Sequence, residues 1–491
     1  MDICRRRFGG CILGALAASR ALGLPTRPKL LVLVVVQQFR PEYLYAAYSQ
    51  LSPGGLKRLL EKGAWFPDCR HTASAFPSAT LATLATGSWP SQHGIVAESW
   101  YDRPSRRPVP ASDEALLATT LCAQVAAWPH TRVSVISLDP VPARLFAGTP
   151  DARLYWMDPN GQFVSRGEAQ AWLLSMAGIA PVENLHGAQW MAVGARPGTP
   201  PLRTLTFDPV HPEQFMALYR ASPFSQRAQF DLLGEMAIHE KLGQGNTLDF
   251  VTVLCGASEL LGYEVGGRSA LMPQTILDLD KRIEALLVQL GQLVGENGYN
   301  LVLAGAHGAP PLPAAEARAR MVVSGEAVAQ AVEKALTASG AGHVRKYIYP
   351  FLYLDPPAGR DPEAVRMAAV RAALDLPAVA GYYTSGGGCS TRDEWARRFG
   401  NSFHPKRSGD VMLSYRPEYV EDYGQRQGIS YGSLYAYDGR VPLCFFGPQF
   451  RAGVFESPVE SVDVAPTLSR AMGVEPPSSS VGRVLGEAFL E

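Results

Sequence analysis

The stretch Leu301-Val302-Leu303-Ala304-Gly305-Ala306-His307-Gly308 joins a continuous apolar run to a turn of small residues with a histidine at its tip. An apolar run of this kind is typical of a strand buried on both faces of a parallel sheet. Functional groups of such sheets gather beyond the carboxyl ends of the strands. We therefore predict a buried strand over 300–304 and a functional site near His307.

Further apolar runs on both sides of this stretch predict other strands of the same sheet. Between two of them, Ile276, Ile283 and Leu290 recur at helical spacing among charged residues, which predicts an amphipathic helix. Strand, helix and strand in this order indicate βαβ crossovers and a mainly parallel sheet. The predicted strands are residues 29–36, 133–138, 250–254 and 441–446.

Two segments interrupt this pattern, and we interpret them as insertions into one domain that spans residues 28–491. The first, at about 150–245, is rich in loop residues and is predicted to lie over the sheet edge. The second, at about 314–385, predicts an α+β insertion. Its helices are predicted over 327–338 and 362–374, and its strands over 346–354 and 379–384.

The composition excludes some classes of function. The chain has 491 residues, with 45 Lys+Arg and 45 Asp+Glu, so its net charge is zero. That balance argues against nucleic-acid binding by electrostatic attraction. The seven cysteines contain no CxxC pair, which argues against a zinc–thiolate site. One disulfide and a set of buried free thiols both remain open.

The N-terminus is predicted to be a targeting segment rather than part of the fold. Arg5-Arg6-Arg7-Phe8 precedes a short apolar run of small residues, Gly9 to Ala18. This pattern predicts a signal peptide over residues 1–27 and export to the periplasm or medium by the Sec or twin-arginine route. The alternative is a short uncleaved anchor, the one case in which we expect membrane contact.

Five motifs, taken in order, resemble those of the alkaline phosphatase superfamily. Their arrangement is most similar to that of the periplasmic phosphate-insensitive alkaline phosphatases, which neighbour the type I phosphodiesterases and nucleotide pyrophosphatases. The resemblance implies an α/β fold, a three-layer αβα core with a mainly parallel sheet. The motifs are VVVQQFRPEYL (34–44), TGSWPSQHGIVAESWYDR (86–103), FHPKRSGDVMLSYRPEYV (403–420), YGSLYAYDGRVPLCFFG (431–447) and VDVAPTLS (462–469).

The resemblance also implies a mechanism with two zinc ions and a threonine or serine nucleophile at a helix N-terminus. About six Asp and His ligands hold the metals in the family. Only His307 keeps its family residue among the positions that correspond to those ligands. These positions are Gln37, Glu259, Tyr263, Ala306, His307 and Tyr431.

The other catalytic positions are altered too. The nucleophile position falls on Pro77 or, in another alignment, on Ala75, with Ser78 as the neighbouring hydroxyl. The two positions that grip the phosphate in the family fall on Asp139 and Val141. Pro77 is also suited to the first position of a helix that we predict over 78–85.

These replacements lead to three hypotheses. The first is an exported pseudo-phosphatase without bound zinc, which binds a protein partner or a small phosphorylated ligand. The second is an active phosphomonoesterase or phosphodiesterase with an altered site, using Ser78, Glu259 and His307, or His71 as the base. The third is metal-free hydrolysis of another ester.

Each of these residues also has an ordinary structural interpretation. His307 could be a locally hydrogen-bonded histidine, and Ser78 a serine in a first helical turn. Glu259 and Asp139 could form an acid/base pair, or they could be solvated or salt-bridged carboxylates. The basic run at 404–407 is expected to serve the fold rather than to bind phosphate.

Overall fold

The computed structural model describes residues 27–167, 170–177, 182–310, 321–391, 394–417, 419–422 and 431–491. The predicted signal peptide therefore lies outside the described residues, apart from Arg27. In the described ranges no helix is both long and apolar enough to cross a membrane. The five cysteines within them, of which Cys389 is the only one not fully buried, form no disulfide.

The described strands fall into one large central sheet and several small ones. In chain order they are β1 (Leu30–Val36), β2 (Ala64–Arg70), β3 (Ser99–Asp102), β4 (Arg107–Pro110), β5 (Thr131–Ser137), β6 (Arg153–Met157), β7 (Phe163–Ser165), β8 (Gln189–Trp190), β9 (Arg203–Thr204), β10 (Leu248–Cys255), β11 (Tyr299–Gly305), β12 (Val322–Ser324), β13 (His343–Ile348), β14 (Phe351–Asp355), β15 (Val379–Thr384), β16 (Val411–Tyr415), β17 (Val420–Asp422), β18 (Arg440–Phe446), β19 (Gly453–Val454) and β20 (Val459–Glu460).

The described helices flank these sheets. They are α1 (Pro41–Ala47), α2 (Leu56–Lys62), α3 (Pro77–Thr86), α4 (Pro90–His93), α5 (Leu121–Ala126), α6 (Pro140–Ala147), α7 (Ala171–Ala177), α8 (Pro212–Arg220), α9 (Pro223–His239), α10 (Ala257–Val265), α11 (Leu271–Val294), α12 (Gly325–Ala338), α13 (Pro362–Leu374), α14 (Glu394–Ser402), α15 (Ala436–Gly439) and α16 (Val464–Met472).

The central sheet runs in the order β19-β2-β18-β11-β1-β10-β5-β6-β7, with β20 also paired to β2. Its middle is parallel, because β1 pairs in parallel with both β10 and β11, and β10 pairs in parallel with β5. The strand β18 enters antiparallel between β11 and β2. The sheet is therefore mixed and mostly parallel, as predicted.

The alternation of side chains along β1 explains the three layers. Leu30, Val32 and Val34 point into a core that also holds Ile276 and Ile283 of α11. The intervening residues, such as Leu33, point into a second core on the opposite face, shared with α3, α6 and α16. Successive strand side chains face opposite sides of a sheet, so a strand apolar throughout requires cover on both.

A second, four-stranded sheet in the order β13-β14-β16-β15 has its own apolar core with α12 and α13. The single strand predicted over 346–354 is wrong, because the chain forms the hairpin β13–β14, which turns at Tyr349-Pro350. Proline has no N–H to continue a ladder, and it ends the first strand there. The sheet also requires β16, which lies beyond the predicted end of this insertion at residue 385.

The segment 150–245 is less loop-rich than predicted. Its strand β6 pairs in parallel with β5 and so extends the central sheet rather than lying over its edge. The helices α8 and α9 fill residues 212–239. The prediction missed β6 because a five-residue strand that begins with an exposed arginine gives only a short apolar pattern.

We predict that the buried ion pair of Asp249 with Arg132 contributes strongly to stability. The Asp249 carboxylate, 1% exposed, accepts hydrogen bonds from Arg132 Nε at 2.6 Å, Arg132 Nη2 at 2.9 Å and Gly243 N at 2.6 Å. Asp249→Asn should lower the free energy of unfolding by about 2–3 kcal/mol, since it removes the charge and one of the two buried oxygens that accept from Arg132 and Gly243 N. Urea denaturation followed by circular dichroism measures this change.

The matched control is Asp355→Asn, which removes the carboxylate of an exposed pair with Arg345. Exposed pairs contribute little, so this change should cost less than about 0.5 kcal/mol. Equal losses in the two variants would contradict the assignment.

Candidate functional site

The candidate site lies beyond the carboxyl ends of the parallel strands β1, β5, β10 and β11. The register aligns Val36, the last residue of β1, with Cys255 on one side and Gly305 on the other. Gln37 directly follows the last residue of β1, and His307 lies two residues after the end of β11. Strands that run in parallel present their carboxyl ends at one edge, so the residues that follow them share that edge.

The turn after β11 is held by backbone hydrogen bonds on both sides. Ala306 N donates to Val36 O at 2.9 Å, and Phe39 N donates to His307 O at 2.7 Å. Gly308 N donates to Asp438 O at 2.7 Å. A Cβ on Gly308 would lie 1.9 Å from Tyr437 O, so only glycine fits at this point. The position of His307 is therefore fixed by the backbone.

The His307 side chain is fully buried at the floor of the site. Its Nδ1 lies 2.7 Å from Gly308 O, and because a carbonyl only accepts, Nδ1 carries the ring proton. Nε2 is then an acceptor; it has no hydrogen-bond partner among the described residues, and Glu259 Oε1 lies 4.0 Å away. Burial lowers the pKa of His307 to about 4.

Two tyrosines line the same floor. The Tyr431 ring centroid lies 4.7 Å from that of His307, and the Tyr263 ring meets Tyr431 edge to face at 5.3 Å. Tyr431 Oη donates to Gln38 Oε1 at 3.2 Å. Burial and then the nearby Glu259 charge raise the pKa of Tyr263 far above its ordinary value, so its phenol stays protonated.

Glu259 and Tyr263 stand one turn apart on α10 and therefore share a face. The Glu259 side chain is 12% exposed. Burial raises its pKa well above the ordinary range, and the charges of Glu98 and Asp139 raise it further. Glu259 is thus an acid that faces other acids.

Glu98 is a site residue that the sequence analysis missed. It belongs to the motif at 86–103, where it is a single acid within Ile95–Trp100, a stretch with no other charge. That isolation is a signal that could have drawn attention to it. Crowding by the protein raises the pKa of the Glu98 carboxyl, although the side chain is open to solvent at the mouth of the site.

The nucleophile positions lie beside Glu98. Pro77 occupies the first position of α3, as predicted, and Ala75 is fully buried ahead of it. Ser78 donates to Glu98 from both its backbone N and its Oγ, each at 2.7 Å. Within the described ranges no hydrogen bond joins Ser78 to His307 or to His71.

Asp139 follows β5 and is held by a cation. Its Oδ1 lies 2.6 Å from Arg220 Nη1, and Arg220 also donates to Leu138 O and Met157 O. The salt-bridged interpretation of Asp139 therefore describes its contacts better than an acid/base pair with Glu259. Val141, on α6, is 40% exposed and offers no polar atom.

The basic run at 404–407 serves the fold in large part. The Arg407 guanidinium lies over the Trp100 ring at 4.8 Å and donates to Gly94 O at 2.7 Å. The hydroxyl of Tyr353 donates to Arg407 O at 2.7 Å. These contacts join the central domain to the four-stranded sheet.

Comparison with known proteins identifies the family. A family model for type I phosphodiesterases and nucleotide pyrophosphatases matches residues 31–430. This protein belongs to that family. It is 25% identical to the alkaline phosphatase PafA of Elizabethkingia meningoseptica over 546 residues, which covers 97% of each chain. It is 24% identical to the alkaline phosphatase PhoV of Synechococcus elongatus, with 94% of this chain and 92% of the relative covered.

Solved structures agree on the fold. The crystal structure of PafA aligns with a TM-score of 0.80 at 22% identity, over 95% of this chain and 99% of that chain. Murine ectonucleotide pyrophosphatase/phosphodiesterase 5 aligns with a TM-score of 0.57 at 14% identity, over 91% and 96%. The predicted fold class, an alkaline-phosphatase-like αβα core, is confirmed.

The residues that this protein has at the site do not fit two zinc ions. Among the described residues, no group of three or more His, Cys, Asp or Glu side chains could hold a metal ion. Tetrahedral zinc sites are built from Cys, His, Asp and Glu, whereas Gln37 offers a neutral amide and Tyr263 and Tyr431 offer protonated phenols. Ala306 offers no donor.

We predict that the His307 ring stays neutral, with its proton on Nδ1, from pH 5 to 8. Its pKa of about 4 lies below this range, so the charged form is a small minority even at pH 5. The ¹⁵N shifts of histidine-labelled protein report the tautomer and charge, and loss of one signal in His307→Gln assigns the resonance. A titration midpoint near the ordinary pKa of about 6.5 would show that the ring is not buried as described.

Proposed function

We propose that this protein is a non-catalytic member of the family, a pseudo-phosphatase that binds a ligand in the old catalytic cleft. The observation that carries the proposal is the packing of Tyr431 on His307. The phenol lies against the ring of the one retained family residue and donates a hydrogen bond to Gln38 Oε1. The Tyr431 side chain thus places a neutral phenol, rather than a metal ligand, next to His307.

The charges of the cleft support the same proposal. The resemblance implies cations that hold a phosphate, whereas Glu98 and Glu259 present carboxyl groups here, and Asp139 is already paired with Arg220. Like charges repel, so a phosphate would be held poorly at these positions. This argues against the small phosphorylated ligand considered from the sequence. Export of the protein, from the pattern at residues 5–18, remains part of the proposal.

The test is a joint measurement of zinc content and turnover on the purified full chain. We expect well under ~0.1 equivalents of zinc after dialysis against a zinc buffer, because too few ligands converge. We also expect no turnover of p-nitrophenyl phosphate or bis-(p-nitrophenyl) phosphate above the blank. PafA, measured in parallel, is the positive control. Two tightly bound equivalents of zinc, or turnover comparable with that of PafA, would overturn the proposal.

A second candidate is favoured by one specific contact, the hydrogen bond from Ser78 Oγ to Glu98 Oε2 at 2.7 Å. A hydroxyl paired with a carboxylate at a helix N-terminus is an arrangement for nucleophilic catalysis. Ser78 Oγ would attack phosphorus, Glu98 would take the hydroxyl proton, and the bond to the leaving oxygen would break with its electron pair. In this form the active phosphoester hydrolase uses Glu98 in place of His307.

The second candidate makes its own prediction. Any turnover should fall at least ~100-fold in Ser78→Ala and in Glu98→Gln, since each change removes one half of the pair. The control is Ser175→Ala, which alters an exposed serine on α7. Turnover that persists in Ser78→Ala would exclude this mechanism.

A further inference from the structure

The floor of the cleft contains a buried acceptor that no described residue satisfies. His307 Nε2 has no partner among the described residues, while its Nδ1 is bound to Gly308 O. A ring fixed through Nδ1 directs Nε2 towards Glu259 Oε1, but the separation of 4.0 Å is too long for a hydrogen bond. Buried polar atoms are nearly always paired, so this gap points to a missing partner.

The Glu259 carboxyl also lacks a partner among the described residues, although its side chain is 12% exposed. No hydrogen bond or cation within ion-pair distance reaches it in the described part of the chain, apart from the 4.0 Å approach of His307. Asp139 has Arg220, and Glu98 has the donors of Ser78. Glu259 therefore faces the gap as an uncompensated acceptor group next to an uncompensated ring nitrogen.

The exposure of the surrounding residues decreases from the surface towards the gap between His307 Nε2 and Glu259. Glu98 is exposed, Ser78 and Tyr263 are half-buried, the Glu259 side chain is 12% exposed, and His307 is fully buried. Glu98 therefore lies on the solvent side of the gap, and His307 lies at its buried end. The Tyr263 and Tyr431 rings meet edge to face beside the gap, and aromatic faces attract cations.

Resting on the proposed function above, we propose that the cleft binds a small organic molecule through a protonated primary amine. The ammonium group donates N–H bonds to Glu259 and to His307 Nε2. A cation beside Glu259 offsets the burial and the neighbouring acids that favour its protonated form, so the carboxyl is ionised in the complex. Glu98 supplies a second carboxyl group on the solvent side. Ammonium has three donors and no acceptor, which matches two groups that accept no hydrogen bond from any described residue.

The same contacts disfavour other ligands. A phosphate or carboxylate would meet the carboxyl groups of Glu98 and Glu259, neither of which pairs with a Lys or Arg among the described residues. A quaternary ammonium would satisfy the charge and the aromatic rings, but it has no N–H for His307 Nε2. A metal ion would require a third ligand that the described side chains do not bring to the gap.

The experiment is a calorimetric titration of the full chain, without added zinc, with four probes: n-butylammonium, tetramethylammonium, inorganic phosphate and zinc chloride. We expect n-butylammonium to bind at least ~10-fold more tightly than tetramethylammonium, because charge-assisted hydrogen bonds are the stronger ones. Phosphate should show no binding. Equal affinity for both ammonium ions, preferential binding of phosphate or zinc, or no binding of n-butylammonium would overturn the proposal.

Two glutamates of α10 provide a test variant and its matched control. Glu259→Gln should weaken n-butylammonium at least ~10-fold, since it removes the charge that the ammonium meets. Glu264→Gln changes an exposed glutamate on the same helix, paired with Arg203 outside the cleft, and should stay within ~2-fold. Equal effects of the two changes would contradict the assignment.

A second measurement needs no variant at Glu259. The ¹⁵N resonance of His307 Nε2 should move when n-butylammonium is added and stay unchanged with tetramethylammonium, because the first ion donates a hydrogen bond to that atom. An unmoved resonance under saturating n-butylammonium would exclude the proposed contact. Zinc content and turnover decide the pseudo-phosphatase proposal separately, so either proposal can fail without the other.

Discussion

Three backbone hydrogen bonds at the ends of the central strands hold together the segments that contain Gln37 and His307. Gln37 N donates to Cys255 O, Ala306 N to Val36 O, and Phe39 N to His307 O. A buried strand end must satisfy its polar groups within the protein, and here neighbouring strand ends satisfy one another. The helix α10, which follows β10 at once, is thereby placed so that Glu259 and Tyr263 face the turn that contains His307.

The sequence predicts the middle of this fold well because the strongest signals are local. The strand β1 is apolar throughout and β11 is apolar apart from Asn300, and the observed bounds of both lie within one residue of the prediction. The strand β6 and the hairpin at Tyr349-Pro350 were missed, since short strands with charged or turn residues give no clear period. The family roles given to Gln37, Tyr263 and Tyr431 stay a prediction, although these residues lie at one edge of the sheet.

What the sequence could not supply is the pairing of distant side chains. Ser78 and Glu98 are close in the chain, yet nothing in the spacing shows that both donors of Ser78 point at one carboxylate. Asp139 and Arg220 lie far apart in the sequence, and only the fold brings Asp139 Oδ1 to within 2.6 Å of Arg220 Nη1. The first contact pairs Ser78 with Glu98, and the second makes Asp139 part of an ion pair.

The four-stranded sheet bears on how this protein could be divided. Its strand β16 lies between β14 and β15 in the sheet, although in sequence it follows both of them. A chain cut after residue 385 would therefore lose the strand that joins the two outer parts of the sheet. Excising 314–385 from the full chain would instead leave β16 with two unpaired edges, and unpaired edges invite aggregation. Any minimal version of this subdomain has to run from α12 to at least Tyr415.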